Sequence, residues 1–254
     1  MKKKFIRISA LLLISSLLFI YLFNSPATLS KNDRIFLKAF LSEWKIDIPD
    51  HEIHQSQQTE LNYVKLIQER VLSEVCNSMN TYDSVGNVQY YFRQKKGLCY
   101  DRSMLLEKFY LLAGFSVRHI YIYFDFNGKD VARRDFFKSY VSSHALLEVK
   151  TKEGWMVVGS NSNWIGLDTK GQVLTIGAIR DKLIDGSLAL NNQPSYGLPF
   201  YQELPKPQAF RYVYGLYSRH GGFLKSAPLE TALCAMGIRP HIPDYNFRML
   251  LYNL

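Results

Sequence analysis

The hydrophobic period of this chain changes once, near Gly114, and that change limits the folds open to it. Before it, Leu61, Val64, Ile67, Val71 and Val75 recur at steps of three and four, the spacing of one apolar stripe on a helix. Residues 34–44 and 85–93 read as shorter helices, the second running into a basic turn at Lys95-Lys96-Gly97. Cys99 opens a further helix, carried by Met104, Leu105, Phe109 and Leu112 and stopped by Gly114. After that point residues 116–124 are dense in β-branched and aromatic side chains and read as a strand. Residues 141–150 and 155–160 read as two more, joined by Thr151-Lys152-Glu153-Gly154 at hairpin length. Helices first and an antiparallel meander afterwards make an α+β fold, and exclude the βαβ alternation of a dinucleotide-binding sheet.

The N-terminus is an address rather than part of that core. Lys2, Lys3, Lys4 and Arg7 precede residues 8–23, which carry no charge and, as polar groups, only Ser9, Ser15, Ser16 and the Tyr21 hydroxyl. A basic start followed by an apolar run is an export signal, which holds its N-terminus on the cytoplasmic side and sends the rest across. An uncleaved membrane anchor is expected, with secretion as the outcome if the signal is cut near Ser25-Pro26-Ala27. The same four residues supply much of the formal net charge of +9, and the remainder forms no long basic run. No nucleic-acid partner is therefore expected. Three parts result: an anchor and linker (1–30), a core (31–172) and a Tyr- and Arg-rich extension (173–254), in which four prolines between residues 191 and 208 indicate loop.

Three cysteines are too few for a disulfide-built fold, and none has the spacing of a zinc site. In an oxidising compartment Cys76 and Cys234 are candidates to pair, leaving Cys99 as the free thiol. A cysteine in the first turn of a helix sits among unpaired N–H groups at the positive end of the helix dipole, which favours the thiolate and offers donors for an oxyanion. The alternative is that Cys99 is a small buried residue of a core helix. His144, inside a strand pattern, is an unusual choice for packing alone, and a helix-start cysteine with a strand histidine is a thiol–imidazole arrangement.

Gly97-Leu98-Cys99-Tyr100-Asp101-Arg102-Ser103, then Ala113 to Arg118, His144-Ala145 with Glu148, and Gly154-Trp155 together resemble the transglutaminase-like superfamily of papain-type thiol enzymes over roughly residues 60–170. That resemblance implies a helical layer carrying Cys99 as nucleophile, packed on an antiparallel sheet carrying His144 as general base and acid. It also implies an oxyanion role for Gln94 and a supporting one for Asp101 at the helix start. The chain departs from the pattern where members carry an aspartate after the tryptophan, because Gly159 stands there. If Lys150 pairs with Trp155, the register carries His144 opposite Asn161, which is then the candidate to orient the imidazole, as asparagine does in papain-type proteases. The other reading is a turn at Asn161, Ser162 and Asn163 and a site without its third member. His119 is the alternative base, and His51 and His54 are expected to be exposed.

The expected activity is cleavage of an amide or peptide bond through a Cys99 thioester, with transfer to an amine as the other outcome and no cofactor or metal. The substrate is a peptide, a protein or a component of the cell envelope. The rival is an inactive module of the same fold that binds envelope peptides or glycans, consistent with Gly159 and with the Tyr212, Tyr214 and Arg219 region.

Overall fold

A computed structural model describes residues 9, 13–15, 28–47, 53–77, 88–124, 142–191, 210–214, 216–217 and 244–245. Helix α1 (Lys31–Trp44) starts at Ser30, whose side chain accepts the Asp33 N–H while the Asp33 carboxylate accepts the Ser30 N–H, so two orphan donors are satisfied reciprocally. It buries Leu37, Phe40, Leu41 and Trp44. Helix α2 (Gln57–Glu74) begins with the same device at Ser56 and Thr59 and buries the expected stripe from Leu61 through Val71. A short α3 (Val88–Gln94) and a two-residue parallel pair, β1 (Cys76–Asn77) with β2 (Lys96–Gly97), lead into α4 (Cys99–Leu112). The aromatic rings of Phe40, Trp44 and Phe109 lock α1 onto α4 at centroid separations of 5.1 to 5.7 Å.

Strands β3 (Ser116–Phe124), β4 (Ser142–Thr151) and β5 (Gly154–Val158) form the meander, and a fourth strand, β6 (Phe210–Tyr214), joins it beside β3. The sheet order is β5-β4-β3-β6, antiparallel throughout. Side chains alternate across it. Leu147 and Val149 join the core built on α4 and α2, whereas Ile120, Ile122, Leu146 and Val157 pack on Trp164 and on α5 (Ile176–Ile184). Two short strands, β7 (Leu216–Tyr217) and β8 (Asp244–Tyr245), pair with each other.

The structure is α+β, with helices preceding an antiparallel sheet. Helix α5 and strand β6 draw residues beyond position 172 into the second core. Strand β5 stops two residues short of the expected Ser160, because the chain folds back: Gly159 donates to the Trp164 carbonyl at 3.0 Å and Val158 bridges to Ile165. Of the expected N-terminal apolar helix only Ser9 and residues 13–15 are described, all of them helical. No helix among the described residues is long and apolar enough to cross a membrane. His51, Cys234 and Arg219 also lie outside the described residues.

Candidate active site

The start of α4 is held by its own third residue. Leu98, extended at φ −80 and ψ −177, has no capping side chain, so the Asp101 carboxylate reaches back to accept the Leu98 N–H at 2.8 Å. The Tyr91 hydroxyl donates to the other Asp101 oxygen. Burial pushes the Asp101 carboxyl up, and these two donors pull it back. Gln94 ends α3 exposed to solvent.

Three main-chain N–H groups lie near enough to the Cys99 thiol to lower it: those of Ala145, Tyr100 and Cys99 itself. The first of them is decisive for the geometry. It belongs to the peptide group that joins His144 to Ala145, so the thiol sits against the residue carrying the imidazole. Strand β5 has ended by this level of the sheet. The β4–β5 ladder runs from Thr151↔Gly154 to Leu147↔Val158 and no further, so the next outward-facing residue of β4, Ala145, has no strand partner on that edge. Its carbonyl accepts the buried Ser160 hydroxyl at 2.5 Å, and its N–H is taken by the sulfur.

Cys99 is half-buried as a residue, and burial pushes its thiol up from the ordinary value; the three N–H groups lower it, and the nearby Asp101 charge raises it further. Desolvation thus outweighs the helix N-terminus, and the expectation of a resting thiolate is corrected to a resting thiol. His144 is buried, and desolvation pulls its imidazole down to about 4. It is therefore neutral near pH 7 and able to accept a proton. By alternation it shares a face with Leu146 and Glu148, toward α5.

The register inferred from the hairpin holds where the ladder exists, with Lys150 opposite Trp155. It ends before Asn161. That residue lies in the bend after β5, and its amide oxygen accepts Arg102 Nη1 over a long 3.4 Å. Gly159 is required by its neighbours: a Cβ there stands 2.5 Å from the Trp164 indole nitrogen and 2.6 Å from the Ser162 carbonyl. No aspartate fits that position as the loop is built.

Glu148 accepts Arg118 Nε at 2.6 Å through one oxygen, and the Ile176 N–H at 2.8 Å and the Tyr214 hydroxyl at 3.3 Å through the other. Arg118 is stacked between the Trp155 and Tyr214 rings, 4.4 and 4.0 Å from their centroids. This cluster ties β3, β4, β5, β6 and α5 together. His119 faces α4, its Nδ1 3.7 Å from Glu107 Oε2. His54 is partly covered, its ring bonded to Glu60 at 2.9 Å and to the Ala113 carbonyl at 3.0 Å. No group of three or more His, Cys, Asp or Glu among the described residues is arranged to hold a metal ion.

Three further residues shape the site. Gln68, fully buried on α2, donates to the Gly159 and Trp164 carbonyls at 2.8 and 2.7 Å and fixes the bend. Arg102, buried on α4, spans from Asn161 to the carbonyls of Leu72 and Val75. Ser160 occupies the strand edge. A glutamine inside an apolar helical stripe was the readable signal for the first; the other two carried none. No family model matches the chain, and no curated protein is similar to it.

Proposed function

We propose that the chain is an exported, membrane-anchored thiol enzyme of the transglutaminase-like kind, which hydrolyses amide or peptide bonds in a cell-envelope substrate through a thioester on Cys99. The observation that carries this reading is the contact of the Cys99 sulfur with the N–H of the His144–Ala145 peptide. Because the thiol is protonated and His144 neutral at rest, the imidazole acts as a general base: it takes the thiol proton as sulfur attacks the carbonyl. Main-chain N–H groups at the helix start are available to the oxyanion. The protonated imidazole then gives its proton to the departing amine, and water, deprotonated by the same ring, cleaves the thioester. Asp101 holds the helix start and Asn161, through Arg102, ties the bend to α4; neither touches the sulfur in this mechanism.

The second reading, a binding module without chemistry, draws support from Gly159 and from the burial that keeps the thiol protonated. Intact-mass measurement of the reduced protein after incubation with a mixed peptide library separates the two. The enzyme reading expects a transient acyl adduct on Cys99 that disappears in Cys99→Ala and His144→Ala and is released by water. Binding of peptides with no adduct at any time supports the module.

A further inference from the structure

Helix α1 has two unlike sides. Leu37, Phe40, Leu41 and Trp44 are buried against the core. Lys31, Arg34 and Lys38 recur at steps of three and four, so they form one stripe on another side, and all three are exposed. Ile35 stands beside them, an apolar side chain left 55% exposed. The acids of the helix do not offset these charges, because each is taken by a cation from elsewhere: Asp33 by Lys108 at 3.1 Å and Glu43 by Lys95 at 2.9 Å. Among the described residues no carboxylate lies within ion-pair distance of Lys31, Arg34 or Lys38. The chain leading into α1 limits where this stripe can lie. The apolar segment ends at Phe23, and Thr28 is already tied to the fold, its carbonyl accepting Lys108 Nζ. The five steps from Phe23 to Thr28 span at most about 18 Å, at roughly 3.3–3.6 Å per residue. Ser30 then caps α1, so the helix starts directly after that tether.

We propose that the Lys31–Arg34–Lys38 face of α1 is a membrane-contacting surface, which binds the anionic phospholipid headgroups of the leaflet beside the anchor and sets Ile35 among them. The inference rests on residues 8–23 being the anchor of the proposed function, and it orients the domain with α1 against the bilayer. Anchoring brings the stripe within reach of the headgroups, and its charge selects among them, since basic side chains close to a bilayer are drawn to anionic lipid and hardly to zwitterionic lipid. An exposed apolar side chain among cations on one helix face is the pattern of a helix lying in the interface. The contact is screened by salt, whereas an apolar anchor is not.

The test reconstitutes the full-length protein in lipid discs of phosphatidylcholine alone or mixed with phosphatidylglycerol, and follows acetylation of individual lysines by a water-soluble activated ester with mass spectrometry. Lys31 and Lys38 are expected to react roughly tenfold more slowly in the anionic discs, and the exposed Lys170 at the same rate in both. Salt at 1 M, where the screening length is about 3 Å, removes the difference. Arg34→Glu, which keeps both reporter lysines, weakens their protection by at least about half. Equal rates for Lys31 and Lys38 in the two kinds of disc, or equal slowing of Lys170, overturn the proposal. Protection that requires added soluble poly(glycerol phosphate), with none from phosphatidylglycerol, assigns the stripe to an envelope polymer and also overturns it. Flotation of the full chain with phosphatidylcholine vesicles in 1 M salt reads the anchor separately. Flotation there with unprotected lysines removes the surface and leaves the anchor; flotation only with phosphatidylglycerol vesicles, lost in salt, removes the anchor and leaves the surface.

Discussion

The two faces of the sheet are covered in different chemical terms. The face under the cysteine helix is hydrocarbon where Leu147 and Val149 meet the cluster of Leu105, Leu106 and Phe109. The opposite face carries the ion pair of Arg118 with Glu148, two aromatic rings around it, and by alternation His144. Cys99 and the His144 ring thus belong to different sides, and the sulfur comes to the N–H of the His144–Ala145 peptide at the edge that β5 leaves after Val158. Packing of the apolar face sets where α4 lies, whereas the polar face and the bend at residues 159–164 set what the sulfur finds there.

The largest test of this contrast is Glu148→Ala. It leaves the Arg118 guanidinium without its carboxylate and the Ile176 N–H without an acceptor, so stability measured by urea unfolding falls by about 3–5 kcal/mol. A loss below about 1 kcal/mol contradicts the view that this cluster joins sheet to α5.

Acid stability comes next. His144 is held neutral in the fold at about 4 and titrates near 6.5 when unfolded. The unfolded chain then binds the proton first as pH falls, so the contribution of this residue is complete above about pH 6.5 and is lost progressively toward pH 4, by roughly 3 kcal/mol in all. The raised carboxyls of Asp101 and Glu148 work in the other direction, since they favour the protonated fold at low pH. Comparing unfolding of wild type and His144→Gln between pH 7 and pH 4 isolates the histidine; identical slopes contradict its burial as a neutral ring.

Gly159→Ala forces the new methyl against the Trp164 indole and the Ser162 carbonyl and costs roughly 1–3 kcal/mol in thermal or urea unfolding. A neutral result shows that the bend yields and that an aspartate is tolerated there. The smallest effect is expected for Ser160→Ala, which frees the Ala145 carbonyl and costs about 1 kcal/mol. Its sharper readout is the acylation rate of Cys99, which changes if the edge geometry matters and stays constant if Ser160 only fills space.

Much of the core was readable because local pattern decides it. The β-branched run of β3 and the 3–4 spacing of α2 are short-range signals, and the hairpin at Lys152-Glu153 fixed the register of β4 on β5. Helix α5 escaped notice because three apolar residues, Ile176, Ile179 and Leu183, make a weak stripe whose partner is a distant sheet face. Strand β6 pairs with β3 across a long stretch of chain, which no local period records. At the site, Cys99 and His144 stood out by residue type, and Asn161 did not reach its extrapolated place because Gln68 and Trp164 fold the chain back directly after β5.

The central claim is that the Cys99 thiol and the His144 imidazole act as one unit. The most direct measurement is the rate at which a p-nitrophenyl ester acylates Cys99 in the reduced protein, followed from pH 3 to pH 9 in wild type and in His144→Ala. The account predicts a wild-type rate that rises through about pH 4 as the imidazole becomes neutral, then a plateau, and a loss of roughly 100-fold at pH 6 in the variant. A rate that is the same in both proteins and climbs only as the thiol ionises at high pH contradicts it.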